Sequence, residues 1–150
     1  MVKLDQIQET IKPELAKLNA IIADTLKSPS ALTNHIVTDY PRTKGKQIRP
    51  VLVLLSAKLF NGINERVLNA GAAIELLHNA SLIHDDVIDQ SMSRRGLPTV
   101  NSVWDNHVAV LVGDFFVSGA LSCAVRAGDI RVLNSLSTMG ADLAMGEIDQ

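Results

Sequence analysis

Hydrophobic residues recur every three or four positions along most of this 150-residue chain. That spacing is typical of amphipathic α-helices, and no segment shows the strict alternation of a half-buried strand. It predicts a helix over residues 2–27 that tolerates Pro13 or bends there. A short helix over about 30–38 should follow, with Ser28 as its N-cap and Pro29 as its first helical residue.

The later part of the chain predicts longer helices. In chain order we expect them over residues 50–60, 65–88, 99–106, 108–127 and 129–150. The first of these is apolar nearly all round, so it should be buried. Asn64 should cap the helix that follows it, whereas Pro98 fits a helix start after a loop over residues 89–97. Gly128 should end one helix and Asp129 cap the next. The pattern therefore predicts an all-α fold.

Composition narrows the class of protein. Hydrophobic residues make up 47% of the chain and aromatic residues only 3%, which indicates an aliphatic interior and favours helices. The length fits one domain. A net charge of −2 gives no electrostatic case for nucleic-acid binding. Cys123 is the only cysteine, so it cannot form an internal disulfide and is expected in the core.

One segment has the composition of a membrane span. Residues 108–125 contain a single charge, Asp114. An aspartate near the middle of a span would be costly in lipid, so we favour a buried helix and expect no transmembrane segment. Residues 1–10 are polar and do not resemble a signal peptide, which makes the cytoplasm the default location.

The predicted helix over residues 65–88 ends in three aspartates, Asp85, Asp86 and Asp89. Carboxylates are disfavoured in the last turn of a helix, and no Lys or Arg lies among these three. The i, i+4 spacing puts Asp85 and Asp89 on one face, with Asp86 about 100° around the axis. A solvated helix end is the alternative, but the preceding apolar run favours a cavity mouth. Oxygen ligands without cysteine suit Mg²⁺ together with substrate phosphates.

Two basic segments flank this helix in the sequence. Arg94 and Arg95 follow the aspartates and could donate to phosphate oxygens. Residues 40–49, YPRTKGKQIR, carry four cations and no acid. Taken alone, that segment is more often an ordinary solvated loop.

Three sequence motifs resemble those of the trans-isoprenyl (polyprenyl) diphosphate synthases. They are GKQIRP at residues 45–50, LLHNASLIHDDVIDQSMSRRGLPTVN at 76–101 and GEIDQ at 146–150, in the order and spacing of that family. The resemblance implies an all-α helical bundle around a central cavity, the isoprenoid synthase fold. The second aspartate-rich motif of the family would lie beyond residue 150. We therefore expect residues 1–150 to be the N-terminal half of one synthase domain, inactive alone.

The same resemblance assigns roles to individual residues. It implies Mg²⁺ binding by Asp85, Asp86 and Asp89, allylic diphosphate binding by Arg94 and Gln150, and isopentenyl diphosphate binding by Lys46, Arg49, His78 and Arg95. His78 considered alone would more often be a core histidine. Its position two helical turns before Asp85 puts both on nearly the same face, which favours the binding role.

The activity implied is Mg²⁺-dependent head-to-tail condensation of isopentenyl diphosphate with an allylic diphosphate, usually in a homodimer. A non-catalytic half or subunit of a heteromeric synthase remains an alternative. A terpene cyclase is a third, but cyclases do not need an isopentenyl site, and Lys46, Arg49 and Arg95 argue against one.

The turn before Asp85 bears on product length. Short-chain members of the family carry a bulky aromatic side chain there, whereas this chain has Ala80 and Ser81, with Leu77 one turn earlier. We expect a tunnel long enough for a product of roughly C30 to C40, extended from farnesyl diphosphate. Alternatively, Ala80 packs against a neighbouring helix and its size is irrelevant.

Overall fold

The computed structural model describes residues 3–40 and 46–150, and these residues form an all-α fold, as predicted. Their helices are α1 Leu4–Glu9, α2 Lys12–Thr25, α3 Ala31–Asp39, α4 Ile48–Leu59, α5 Glu65–Ile88, α6 Val100–Val103, α7 Asn106–Ala127 and α8 Ile130–Ile148. Two short antiparallel strands, β1 Ser93–Arg94 and β2 Leu97–Pro98, follow α5. Part of the predicted basic loop, residues 41–45 with Gly45 of GKQIRP, lies outside the described residues.

Helix α5 is the centre of the fold and has the predicted bounds. The Asn64 side chain caps it by accepting a hydrogen bond from the Val67 backbone N–H at 3.0 Å. It packs against α2, α4, α7 and α8. Because α5 contacts helices on several sides, each of its faces has a different environment.

Helix α7 lies along α5 at close range because two glycines permit it. A Cβ added at Gly119 would lie 3.4 Å from Leu76 Cδ1, and one added at Gly113 would overlap the His84 ring. Gly128, at φ 68°, ends α7 in the left-handed conformation that glycine adopts without strain. Asp129 then caps α8 by accepting from the Arg131 N–H at 2.9 Å, so the predicted stop and cap are confirmed.

Helix α7 is also the one helix in the described ranges that is long and apolar enough to cross a membrane. Its buried residues include Ala109, Phe116, Ala120 and Cys123, which belong to the core cluster. Cys123 is a free cysteine with no exposed surface, as predicted. This burial is typical of a core helix.

The predicted helix over residues 2–27 is wrong as a single element. Helix α1 ends at Glu9, and α2 begins at Lys12 with Pro13 as its second residue. A proline ring clashes with the carbonyl group four residues earlier, which here belongs to Glu9, so the chain breaks rather than bends. Ile11, between the two helices, has no exposed surface.

The predicted cap of α3 is also wrong. Ser30, not Ser28, accepts a hydrogen bond from the Thr33 N–H, at 3.2 Å, and the helix begins at Ala31. The Ser28 hydroxyl instead accepts from the Ser30 N–H at 3.1 Å. Ser28 and Ser30 stand two residues apart, and the Pro29 between them does not begin the helix.

The predicted loop over residues 89–97 contains the β1–β2 hairpin. Arg95 and Gly96 form its turn, with φ of 54° and 77°. Positive φ at both central residues is the geometry of a two-residue hairpin turn. Helix α6 is a single turn that begins after Pro98, because Thr99 caps it by accepting from the Ser102 N–H at 3.2 Å.

Helix α4 is less buried than predicted. Val51 and Leu54 pack into the core, but Leu52 is 57% exposed and Leu59 is 80% exposed. Among the described residues, α4 is covered on the side that faces α2 and α5. The apolar sequence of α4 therefore predicted more burial than the structure has.

Candidate active site

A cavity of about 360 Å³ lies between α4, α5 and the hairpin. Its lining includes the four residues predicted for isopentenyl diphosphate and one predicted for the allylic diphosphate: Lys46, Arg49, His78, Arg95 and Arg94. Four of these side chains are cations, and Glu75 is the one acidic residue among the described lining. We call this cavity the basic pocket.

Local backbone geometry brings these side chains together. Gln47 has a left-handed φ of 54° and precedes α4, which puts Arg49 in the first turn of that helix. Arg95 reaches the pocket from the hairpin turn, and His78 from the middle of α5. The chain thus gathers into one pocket cations separated by almost 50 positions in the sequence.

His78 is held in its neutral form. Its Nε2 atom lies 3.2 Å from Arg49 Nη1. Burial, which has the largest effect, and the neighbouring charges of Arg49, Arg94 and Arg95 together lower the pKa of His78 to about 4. His78 therefore accepts a hydrogen bond from Arg49, and its second ring nitrogen is free to donate.

Asp86 differs from the other two aspartates because it is paired with Arg94. Arg94 Nη2 donates to Asp86 Oδ1 at 2.7 Å, and Arg94 Nε lies 3.2 Å from both carboxylate oxygens. Asp86 is 6% exposed. The hydrogen bonds to Asp86 raise the pKa of Arg94. This pair fixes the hairpin, and with it the Arg94 guanidinium, against α5.

Asp85 and Asp89 form no ion pair with any described lysine or arginine. Burial and the nearby Asp89 carboxylate raise the pKa of Asp85. Glu147, near the end of α8, is close enough that these two aspartates help to raise its pKa, after burial. The end of α8 therefore lies beside the open carboxylates of α5.

The carboxylates of Asp85 and Asp89 suit a metal ion only when a bound phosphate supplies further oxygen ligands. Within residues 3–40 and 46–150, no group of three or more His, Cys, Asp or Glu side chains is close enough to hold an ion by itself. Mg²⁺ is commonly held by one or two carboxylates together with substrate phosphates and water. Asp85 and Asp89 supply such a pair beside a basic pocket.

The residues predicted to control product length lie on two sides of α5. Leu77 faces α8, since a Cβ added at Gly140 would lie 3.9 Å from Leu77 Cδ2. Ser81, one turn further, is half-buried, and its hydroxyl donates to the His78 carbonyl at 2.6 Å. Ala80 is 1% exposed and shares a face with Leu76, which packs on α7. Ala80 thus has the environment of a packing residue.

Gln150 follows α8 and is exposed. It is absent from the described lining of the basic pocket.

Sequence reasoning missed six residues that line the pocket: Tyr40, Gln47, Ile48, Glu75, Asn79 and Leu82. Two of them, Tyr40 and Glu75, are ionisable. Burial raises the pKa of Tyr40 to about 12, and its ring packs edge-on against Phe116 at 5.3 Å between centroids. Glu75 is 5% exposed. A carboxylate inside the apolar run of α5 was the available signal for Glu75, because buried acids require partners. Tyr40 gave no comparable signal.

Comparison with known proteins agrees with this geometry. A sequence profile described as polyprenyl synthetase matches residues 30–150. The chain is 35% identical over 151 residues to the all-trans-nonaprenyl-diphosphate synthase (geranyl-diphosphate specific) of Rhodobacter capsulatus, and 34% identical over 149 residues to the octaprenyl diphosphate synthase of Escherichia coli (strain K12). These matches cover 98% and 99% of this chain, and 46% of each relative.

Solved structures give the same result. A decaprenyl diphosphate synthase from Rhodobacter capsulatus superposes with a TM-score of 0.92 at 33% identity, over 97% of this chain and 45% of that one. A polyprenyl synthase from Caulobacter crescentus CB15, complexed with calcium and isoprenyl diphosphate, also gives 0.92, at 29% identity, over 97% and 44%.

The chain therefore belongs to the polyprenyl synthetase family and has the isoprenoid synthase fold of its structural relatives. It spans about half the length of the curated relatives it matches.

Proposed function

We propose that the protein containing this chain is a trans-polyprenyl diphosphate synthase. It joins isopentenyl diphosphate head-to-tail to an allylic diphosphate such as farnesyl diphosphate. The observation that carries the proposal is the meeting of Lys46, Arg49, Arg94 and Arg95 in one pocket, with the Asp85 carboxylate close enough to Arg94 for the two charges to interact. The names of the relatives, octaprenyl and nonaprenyl diphosphate synthases, support the same activity.

Isopentenyl diphosphate binds in the basic pocket under this proposal. Its diphosphate carries about three negative charges, and charge-assisted hydrogen bonds from Lys46, Arg49 and Arg95 replace its water. His78, being neutral, donates one N–H without adding charge. The pocket volume of about 360 Å³ suits a small diphosphate ester.

The allylic diphosphate binds at the end of α5. Asp85 and Asp89 would hold Mg²⁺, which would neutralise charge on the departing diphosphate. Asp86 contributes by holding Arg94, whose guanidinium donates to the same diphosphate, and Gln150 adds a polar contact. The calcium and isoprenyl diphosphate in the Caulobacter crescentus relative support a cation–diphosphate site. The allylic C–O bond breaks and releases diphosphate, the isopentenyl double bond attacks the allylic carbon, and the released diphosphate takes up the proton that the condensed product loses.

The growing chain runs along the side of α5 that faces α8. Ser81 and Leu77 form its wall, and their modest size leaves room for a medium- or long-chain product. Ala80 lies behind this wall, against α7, so its size acts by setting the position of α5.

The working protein is a homodimer in the cytoplasm, and this chain is the N-terminal half of its single domain. Exposed apolar residues on α7 support an interface: Leu111 is 53% exposed, Leu121 49% and Val125 74%. Burying such residues against a second copy removes apolar surface from water.

One observation favours a second candidate, a subunit of a heteromeric synthase. The chain is 34% identical over 129 residues to a Bacillus subtilis protein named heptaprenyl diphosphate synthase component 2. Under this alternative, the site described above requires a partner polypeptide for turnover.

Incorporation of labelled isopentenyl diphosphate tests both candidates. The native polypeptide that contains this chain is purified and incubated with farnesyl diphosphate and Mg²⁺, and the products are separated by chain length. We expect medium- or long-chain polyprenyl diphosphates, and none after chelation of the metal. Activity that appears only when a partner is added would establish the heteromeric alternative, and no incorporation under either condition would refute the proposed function.

A further inference from the structure

The residue that precedes α4 has an unusual backbone conformation. Gln47, the N-cap of this helix, has a left-handed φ of 54°, which glycine adopts without strain and which lowers stability at other residues. An N-cap usually has an extended backbone and caps the helix with a short side chain. The Gln47 side chain makes no capping hydrogen bond. Contacts outside α4 must therefore hold this residue in its strained conformation.

Asn19 of α2 supplies the first such contact. The two side-chain amides form a reciprocal pair, in which Gln47 Nε2 donates to Asn19 Oδ1 at 2.6 Å and Asn19 Nδ2 donates to Gln47 Oε1 at 3.3 Å. Both side chains are half-buried, which makes the pair stronger than one surrounded by water. The pair therefore fixes Gln47 to α2.

Asn19 is itself held firmly in place. The preceding residue, Leu18, has no exposed surface, and a Cβ added at Gly71 of α5 would lie 2.7 Å from Leu18 Cδ1. Because Gly71 has no Cβ, α2 packs closely against α5 at this level. Asn19 thus fixes the position of Gln47 relative to α5, the helix that carries His78 of the basic pocket.

Gln8 of α1 supplies the second contact. Its Nε2 atom donates to the backbone carbonyl oxygen of Lys46 at 2.8 Å. Lys46 and Gln47 are therefore bound to α1 and α2, just before Arg49 contacts His78 of α5. Gln8 and Asn19 both precede residue 30, where the match to the family profile begins.

We propose that Asn19 and Gln8 are positioning residues for the isopentenyl diphosphate site. They hold the backbone of Lys46 and Gln47 in the conformation that directs the Lys46 and Arg49 side chains into the basic pocket. Without these hydrogen bonds Gln47 relaxes to a negative φ, which turns the backbone at the start of α4 and moves Lys46 away from Arg49. The inference rests on the proposed function.

The expected effect is confined to one substrate. Arg94, which is proposed to bind the allylic diphosphate, is held by Asp86 through a hydrogen bond of 2.7 Å rather than by α1 or α2. Loss of the Asn19 or Gln8 contact should therefore weaken the binding of isopentenyl diphosphate and spare the allylic diphosphate. A general loss of structure would weaken both.

Calorimetric titration with isopentenyl diphosphate and steady-state kinetics, both on the complete protein that contains this chain, test the inference. Asn19→Ala should weaken isopentenyl diphosphate binding and raise its KM by about five- to tenfold, because the strained conformation is no longer held. The kcat and the KM for farnesyl diphosphate should change by less than about twofold. Gln8→Ala should act in the same direction by about threefold, since it removes a single hydrogen bond.

The matched control is Lys17→Ala. Lys17 is an exposed residue of α2 that lies outside the described lining of the basic pocket. This variant should change none of these values.

Substitution of Gln47 distinguishes positioning from direct contact with the ligand. Gln47→Ala removes the amide pair and keeps the strain, so its loss of affinity should equal that of Asn19→Ala. The double variant should show no further loss, because both substitutions act through one pair. Gln47→Gly also removes the pair, but glycine adopts positive and negative φ about equally readily, so affinity should fall only about twofold.

The outcomes separate this inference from the proposed function. Failure of the unmodified protein to bind isopentenyl diphosphate would overturn both. Binding that Asn19→Ala leaves unchanged, or additive losses in the double variant, would overturn only the positioning role. Equal losses in Gln47→Gly and Gln47→Ala would show that the Gln47 side chain acts on the ligand directly, and a parallel rise in the KM for farnesyl diphosphate would show a general loss of structure. Either result would also overturn the positioning role.

Discussion

The two sides of α5 differ sharply although they belong to one helix. The packed side consists of Ala73, Leu76, Ala80 and Ile83, which lie in the core and are no more than 2% exposed. The open side consists of Leu77, Ser81, Asp85 and Asp89, which are half-buried or exposed. Leu77 lies near Gly140 of α8, and the two aspartates lie near Glu147 of the same helix. On the packed side, small residues and the glycines of α7 let the two helices approach so closely that no cavity remains between these described residues. On the open side, space and the charged carboxylates remain.

The contrast between the two sides shows where a buried helix can carry a functional site. Carboxylates at a helix C-terminus lower stability unless a cation compensates them. Asp86 has that cation in Arg94, whereas Asp85 and Asp89 do not. Charge left uncompensated beside a cavity is typical of a ligand site. The packed side then serves to hold the open side in position.

The largest expected effect is on turnover, from the open side. Asp85→Ala in the complete protein should lower the rate of prenyl transfer by about 10²-fold or more, because it removes the centre of an electrostatic site. Stability should change by less than about 0.5 kcal/mol. Steady-state assays would check this, with Asp24→Ala as the control because Asp24 forms an exposed pair with Lys27. A near-normal rate would refute the metal assignment.

The second prediction compares the paired and unpaired aspartates by stability. Asp86→Ala should lower the free energy of unfolding by about 1.5–3 kcal/mol, since it leaves Arg94 without its hydrogen bonds. Asp89→Ala should change it by less than about 0.5 kcal/mol, because that carboxylate has no cationic partner. Urea denaturation of the two variants would check this. Equal losses would show that the two aspartates have the same structural role.

The third prediction compares neighbouring residues on the two sides. Ser81→Phe should shorten the products with little loss of stability. Ala80→Phe should also shorten them, because the ring has no room against α7 and forces α5 towards α8. That overpacking should cost about 1–3 kcal/mol. Chromatography of the products and urea denaturation would check both variants. If the product chain lengths of Ala80→Phe were unchanged, Ala80 would be a packing residue only.

The smallest effect concerns His78. In NMR titrations its pKa should be about 4, against an ordinary value of 6.5. The unfolded chain then binds this proton more readily than the folded one, so His78 should make stability fall as pH drops from about 6.5 to about 4. Arg49→Gln removes one cause and should raise the pKa. An ordinary pKa in the unmodified chain would contradict the described burial.

The features of the fold that sequence predicted correctly depend on nearby residues. The start of α5 follows from Asn64 and an apolar run, and the end of α7 follows from Gly128. The break at Pro13 was misjudged because a proline can either bend a helix or begin one. The burial of α4 was misjudged because burial depends on which helices cover it.

Prediction of the site was likewise correct where it depended on nearby residues and failed where it depended on packing. The resemblance to the synthase motifs assigned Lys46, Arg49, His78 and Arg95 to one diphosphate, and these side chains do line one pocket. The pairing of Asp86 with Arg94 was not predictable, because it depends on the geometry of the hairpin. The amide pair of Asn19 and Gln47 depends on how α2 packs against α5, which no local pattern records.

The proposed function depends on the binding of isopentenyl diphosphate in the basic pocket, and the affinity for that ligand measures this binding. Arg95 belongs to the pocket and is exposed enough to be replaced without unfolding the chain. Arg95→Gln should weaken isopentenyl diphosphate binding by about tenfold or more, because a charge-assisted hydrogen bond is lost. The control Arg66→Gln, an exposed arginine on α5 outside the pocket, should bind as the unmodified chain does. Equal affinities in all three proteins would contradict the account.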